Sequence, residues 1–353
     1  MQPFAARVIA WQRIHGRTGL PWQGRDPYRV WVSEIMLQQT QVATVVPYYE
    51  RFVARFADLP ALAQAPLEDV MRLWAGLGYY SRARNLHACA QQLVRDCGGS
   101  FPGSARALEA LPGIGRSTAA AIAAFCFDER VPILDGNAKR LFARHAGIDG
   151  DPASRAVETR MWQRALELLP AAQDMPAYTQ GVMDLGATVC TRTTPSCAVC
   201  PVREDCHALV HQRVDRLPAP RARKRLPTRE ACFLLAVARD AVLLEQRPPV
   251  GIWGGLLAPP QFADSKSLRK ALGALAADAQ VRALRPRRHG FTHFTLAYTP
   301  YLAQLDAPPS RVGEPNQRWV SLREAGSAPL PAPMRALLSE VHELLARERG
   351  RAT

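Results

Sequence analysis

Two textures divide the chain. Between Phe4 and about residue 210, apolar residues sit at helical spacing between short Gly/Pro turns; from Ala231 onward they fall in short, strand-like runs. Phe4 to His15 reads as an amphipathic helix. Asp26-Pro27 opens the next, Tyr28 to Thr40, with Asp as cap and Pro in the first turn. Further helices are read at Leu67 to Ala75, Ser81 to Asp96, Arg116 to Phe127, Asn137 to His145, Ala153 to Leu169 and Tyr178 to Val189. In the second texture, Cys232 to Ala238 and Val242 to Gln246 flank Arg239-Asp240 as in a hairpin, and Arg335 to Arg349 closes the chain as a helix. A length of 353 residues exceeds one ordinary core. The expectation is a mostly helical region at 1–210, a linker at 211–229 and an α+β domain at 230–349. Arg213 to Arg229, with seven basic residues, one Asp and three prolines, is a linker by composition; it either tracks a polyanion or stays solvated.

The net charge of +14 suits a polyanionic partner, since phosphate neutralisation supplies most non-specific DNA affinity. A basic proteome would show the same balance. No apolar run reaches membrane-spanning length, and MQPFAARVIAW lacks the apolar core of a signal peptide, so the expected location is the cytoplasm, in association with the nucleoid. Eight cysteines in such a chain argue against a disulfide framework. Cys89, Cys97, Cys126 and Cys232 are scattered and read as small buried side chains. Cys190, Cys197, Cys200 and Cys206 fall within seventeen residues and read as a closed metal ligand set. Zinc is one occupant, although its structural sites usually show two CxxC-like pairs and only one stands here.

The stretch Leu111 to Arg140 concentrates the remaining chemistry. Pro112-Gly113-Ile114-Gly115 is a tight turn whose glycines can take angles other residues resist, and it feeds the alanine-rich helix from Arg116. Such a helix start presents unpaired N–H groups that suit a phosphate. Asp135 stands just ahead of the next helix, where an ordinary N-cap is the plain reading. Glu34 lies among Trp31, Val32, Ile35, Met36 and Leu37. If it points outward it is a solvated surface residue. If it faces a cleft, desolvation raises its pKa and makes it a usable acid near neutral pH.

LPGIGRSTAAAI followed by LDGNAKR resembles the helix-hairpin-helix DNA glycosylases, and SEIMLQQTQVATVVPYYERF resembles the adenine DNA glycosylases of the MutY family. The resemblance implies that the Gly113/Gly115 hairpin grips a backbone phosphate, that Asp135 sits beside the sugar of an extruded nucleotide with Asn137 in support, and that Glu34 is the general acid. It implies that Gln39 and Thr40 enter or abut the DNA stack, that Tyr79 of GLGYYSRARNLH wedges beside the lesion, and that Arg17, Trp22 and Gln23 of the LPWQ region form part of the adenine pocket. In YTQGVMDLGATVC, Gln180 contacts adenine, and a carboxamide can donate and accept together as the Hoogsteen edge requires. Ser117 stands where strand-cutting relatives carry a lysine nucleophile, which implies a glycosylase without strong lyase activity.

The cysteine spacing resembles the [4Fe–4S] loop of endonuclease III and the adenine glycosylases, which implies a structural cluster holding Arg192 and Arg203 against phosphate. LLEQRPPVGIWGGLLAPPQF resembles a Nudix-like domain. No REx2ExE-type carboxylate set follows, and Ser265 to Ala277 carries Lys266, Arg269 and Lys270 instead, so magnesium-dependent pyrophosphate hydrolysis has no basis. RHGFTHF, residues 288–294, resembles the loop that senses 8-oxoguanine, with Phe291, Thr292 and His293 where the usual triplet is Phe-Ser-His; an ordinary strand is the plain alternative. The expectation is therefore a monomeric base-excision enzyme acting on double-stranded DNA with adenine opposite 8-oxoguanine or G. An endonuclease III-like enzyme, a non-catalytic damage binder and a nucleotide pyrophosphatase are the alternatives.

Overall fold

A computed structural model of the protein describes residues 2–220, 226–249, 251–308, 316–326 and 328–352. Residues 221–225 of the basic stretch lie outside the described residues. The chain forms two compact units, Met1–Ala65 with Asn85–Arg223, and Pro66–Arg84 with Lys224–Thr353. Before the first strand it runs through helices α1 (Phe4–His15), α2 (Pro27–Leu37), α3 (Val42–Arg55), α4 (Leu59–Gln64), α5 (Leu67–Trp74), α6 (Ser81–Cys97), α7 (Ala105–Glu109), α8 (Arg116–Phe127), α9 (Gly136–Ala146), α10 (Arg155–Glu167), α11 (Met175–Asp184) and α12 (His207–Val210).

In the helical unit, α8 is the central element. Thr118 through Ala124 are all buried, and α8 packs against α2, α7 and α11. Its alanines thus have a structural reason: a helix enclosed on all sides needs small residues where neighbours approach. Val8 and Ile9 of α1, Leu141 and Phe142 of α9, Met161 of α10 and Val182 of α11 complete this core.

Two boundaries read from sequence need correction, and so does the reading of the hairpin glycines. Helix α2 stops at Leu37, not Thr40, because Gln38 is extended and Gln39 turns into the left-handed region at φ 59°, which no α-helix continues. Helix α11 ends at Asp184, and Leu185–Val189 forms a π-helical turn, an irregularity frequent at functional sites. Of the two hairpin glycines only Gly113 uses its freedom. Its φ is 78° and a Cβ there would lie 2.7 Å from Asn85 Cβ, whereas Gly115, at φ −86°, is ordinary extended backbone.

The second unit is built on a mixed sheet in the order β3 (Leu257–Ala258), β2 (Ala241–Gln246), β1 (Thr228–Ala238), β7 (Thr295–Leu305), β5 (Val281–Ala283). Strands β4 (Gln261–Phe262), β6 (Arg287–Gly290) and β8 (Gln317–Ser321) pair with β1, β7 and β2. Strands β1 and β7 run parallel along their full length, Leu235 opposite Leu302, and the other pairs are antiparallel. The hairpin read at Arg239-Asp240 is present, with Arg239 at φ 54°. Helix α13 (Ser265–Leu275) lays Leu268 and Leu272 against Leu234, Ala236 and Ala303, leaving Lys266, Arg269 and Lys270 exposed. Helix α14 (Ala332–Ala352) buries Met334, Leu337, Leu338 and Val341.

The segment Pro66–Arg84 belongs to this unit. Arg84 donates to Gly254 O at 2.5 Å, and Arg318 pairs with Glu68 at 2.7 Å. Among the described residues no helix is long and apolar enough to cross a membrane.

Candidate active site

In the helical unit, α2, the 17–24 loop and α11 wall a narrow pocket lined by Arg17, Trp22, Gln23, Glu34 and Gln180, with Phe125 and Met183 closing it. Five of the residues singled out from sequence therefore meet in one place. Glu34 reaches the pocket because Trp31, Val32, Ile35 and Met36, its neighbours on α2, are buried and fix the helix orientation. The outward-pointing alternative for Glu34 is thereby overturned. Trp22 is buried and meets Tyr49 edge-on, with ring centroids 5.2 Å apart. Gln23 staples the loop: its Nε2 donates to Arg17 O at 2.7 Å, and its Oε1 accepts from Leu20 N at 3.0 Å.

Asp135 is the N-cap of α9, its Oδ1 accepting from Ala138 N at 2.7 Å. The plain reading of this residue holds, and the charge is not idle. Burial, then the negative charge of Asp135, raises the Glu34 pKa from its ordinary value to about 8. Two carboxyls far apart in sequence thus feel each other. Burial also raises the Asp135 pKa, but the N–H groups of Ala138 and Asn137 and the charges of Arg140 and Arg17 oppose it. Nothing opposes the rise at Glu34. Glu34 is therefore the carboxyl that holds its proton up to about 8. Asn137 contributes its backbone N–H to Asp135, while its side-chain Oδ1 accepts from Arg140 Nη2 at 2.9 Å.

Gly113 and Gly115 are exposed at the start of α8, whose first turn has no side-chain cap. Ser117 Oγ is buried and makes no hydrogen bond among the described residues. Gln39 and Thr40 lie on the turn after α2, outside the pocket lining, with Gln39 exposed.

In the second unit, Tyr79, Phe291, Thr292 and His293 line one cleft of about 590 Å³ with Trp253, His289 and Arg229. Residues 291–294 form the turn between β6 and β7, closed by Phe291 N donating to Phe294 O at 2.8 Å, so the strand alternative does not hold. Phe291 stacks on Phe294 at 4.7 Å, while Thr292 and His293 are exposed. Tyr79, 47% exposed and left-handed at φ 47°, has the Arg82 guanidinium 5.6 Å from its ring centroid.

Residues 32–166 match the HhH-GPD superfamily of base excision DNA repair proteins, and residues 231–340 match the NUDIX domain. The chain is 32% identical to the adenine DNA glycosylase of Buchnera aphidicola subsp. Acyrthosiphon pisum, over 95% of this chain and 96% of that protein. This chain belongs to the adenine DNA glycosylase family. The mouse adenine DNA glycosylase is 35% identical, over 94% of this chain and 76% of its own length. A solved thermostable thymine-DNA glycosylase superposes with a TM-score of 0.53 at 25% identity, covering 59% of this chain and 95% of that one.

The HhH-GPD match covers most of the helical region, and the sheet lies in the stretch that matches the NUDIX domain. The four clustered cysteines wall one cavity with Leu141, Val189, Val202 and Arg144. Burial, then the nearby thiols Cys190, Cys206 and Cys197, pushes the Cys200 thiol up to about 11. Arg144, 3% exposed, organises the loop from α9. Its guanidinium donates to Cys190 Sγ at 3.4 Å, Thr191 O at 2.6 Å, Arg192 O at 3.1 Å and Leu217 O at 2.8 Å. Arg192 and Arg203 on the loop are exposed.

Sequence reasoning missed Asp184. Its side chain is 1% exposed and paired with Arg17 at 2.6 Å. The only signal was its place four residues after Gln180 on one helix face. Phe125 and Met183 were also missed, because a pocket-facing apolar residue looks like any core residue in sequence.

Proposed function

We propose that this glycosylase hydrolyses the N-glycosidic bond of adenine paired with 8-oxoguanine or G in duplex DNA, and does not cut the strand. The observation that carries this is Glu34, which lines the pocket with Arg17, Trp22, Gln23 and Gln180 and has its pKa raised to about 8 by burial and by the charge of Asp135. Adenine leaves the stack at a cost of roughly a few kcal/mol. Glu34 then protonates N7 and makes the base a better leaving group. Asp135 stabilises the developing sugar cation or bonds to it briefly, and Glu34, now ionised, activates water. The exposed start of α8 suits a backbone phosphate, and Gln39 and Tyr79 suit insertion into the stack. Ser117 offers no amine for a Schiff base, which supports a monofunctional enzyme. The cleft holding Phe291, Thr292 and His293 is the proposed reader of the opposite base.

The four cysteines are proposed to hold a [4Fe–4S] cluster. They wall a cavity rather than close on one point, and among the described residues no three His, Cys, Asp or Glu side chains are placed to hold a single ion. With four protein ligands, such a cluster would stabilise its loop. Arg144→Ala leaves two buried and two half-buried acceptors without their donor. It should destabilise the protein by on the order of 3 kcal/mol or more, visible as a lower Tm, and should lower the iron content per chain.

Single-turnover base release tests the main reading. Adenine should appear from A opposite 8-oxoguanine, more slowly from A opposite G, and no base should be released from duplexes holding thymine glycol. The product strand should stay intact until treated with alkali. Thymine glycol release with strand scission would instead identify an endonuclease III-like enzyme.

A further inference from the structure

The basic stretch that precedes the sheet ends inside it. Arg229 is the second residue of β1, exposed, with its guanidinium carbon 4.4 Å from the ring centroid of Phe294. Phe294 is 8% exposed and stacks on Phe291, so the platform under the cation is itself held. Thr295 N donates to Pro227 O at 2.9 Å, which ties the start of β1 to the end of the same turn. A guanidinium laid on a ring keeps its edge free, and that edge is a planar fork of N–H donors.

The surroundings leave this fork without a counter-charge. Arg229 lines the cleft that holds Phe291, Thr292 and His293, and among the described residues no Asp or Glu lines that cleft. Glu230, its neighbour on the strand, turns to the opposite face of the sheet and lines a second cleft with Asp264 and Arg287. Arg84, the other arginine of the first cleft, already donates to Gly254 O at 2.5 Å. Among the described residues Arg229 has no hydrogen-bond or ion-pair partner; its one contact of this kind is the Phe294 ring.

A nucleotide supplies one anion, its phosphate, while guanine and 8-oxoguanine are uncharged at neutral pH. The side chains free to meet a base are the exposed Thr292 and His293, whereas Arg229 is stacked on Phe294, where the turn joins β7. We propose that Arg229 holds a backbone phosphate of the strand that carries the base opposite adenine, and so seats that strand against residues 291–294. The proposal rests on the reading of this cleft as the reader of the opposite base. Phosphate contacts set register and carry no sequence information. Arg229 therefore adds affinity without choosing between 8-oxoguanine and G.

The test is binding of the full chain to two duplexes, with 8-oxoguanine or G opposite an adenosine whose 2′-fluorine blocks departure of the base. Kd is measured over a series of KCl concentrations. Arg229→Gln should weaken binding to both duplexes alike, by about tenfold at low salt. It should also lower the slope of log Kd against log[KCl] by about 1, the share of one phosphate. Arg229→Lys keeps the charge and should keep the wild-type slope, which separates lost charge from a disturbed strand. An unchanged slope in Arg229→Gln would overturn the proposal, and so would a loss confined to the 8-oxoguanine duplex, which would assign the fork to the base. Phe291→Ala and His293→Ala test the cleft itself: both should lose preference for 8-oxoguanine over G and keep the slope. Should both keep the full preference, the reading of the cleft falls and this proposal with it. Should they lose it while Arg229→Gln keeps its slope, the phosphate contact alone falls.

Discussion

Glu34→Gln should bind a duplex holding A opposite 8-oxoguanine and release adenine slower than wild type by on the order of a thousandfold in single turnover. The substitution keeps the size and polarity of the side chain and removes only the proton proposed to make adenine a leaving group. In wild type the acid must be protonated, so kcat/KM should fall as pH rises through about 8. Gln has no proton to lose, and its residual rate should lack that limb. The same shift has a consequence for stability. An unfolded chain releases the Glu34 proton near 4.5, whereas the folded protein holds it to about 8. Below the lower value both states are protonated and nothing is lost. Between the two the unfolded state alone gives up its proton, and wild-type stability declines with rising pH. Above about 8 the full loss is reached, at most a few kcal/mol. Glu34→Gln should therefore be more stable than wild type at pH 9 and nearly equal to it at pH 5, by denaturant titration. A stability difference that does not grow with pH would remove burial as the origin of the acid.

Much of this site could be seen in sequence because local chemistry and local structure agree there. Asp135 ahead of a helix is a cap wherever it occurs, and the cap itself points its carboxylate off the helix end. The alanines of α8 announce a buried helix. Glu34 was half legible: its apolar neighbours are plain in the chain, but the direction it faces depends on what α2 packs against. The turn at Gln39 left no trace, since only the tertiary fold holds a glutamine at φ 59° and ends α2 early. Tyr79 and Trp253, also left-handed, share one cleft and were equally unreadable as such. Asp184 was invisible for a similar reason. An aspartate at this place in the sequence is unremarkable until Arg17, 167 residues away, is placed against it. The membership of Pro66–Arg84 in the sheet-containing unit likewise rests on contacts such as Arg84 with Gly254, which no local pattern announces.

Asp135→Asn separates the two duties of that residue. An Asn Oδ1 can accept from Ala138 N as Asp135 does, so the α9 cap should survive and the Tm at pH 7 should be no lower than in wild type. The anion proposed to stabilise the sugar cation is gone, and single-turnover adenine release should fall by on the order of a thousandfold or more. Asp135→Ala should lose the same rate and, in addition, about 1 kcal/mol of stability with the cap. The charge of Asp135 is one of the two causes that raise Glu34. Removing it leaves burial alone, so the alkaline limb of the residual activity of Asp135→Asn should move to lower pH than in wild type. That displacement reports on the pair directly, because a cap or a packing defect slows the reaction without moving the titration of a residue on another helix. If the limb stays in place, the two carboxyl groups do not act on one another, and Glu34 owes its proton to the pocket walls alone.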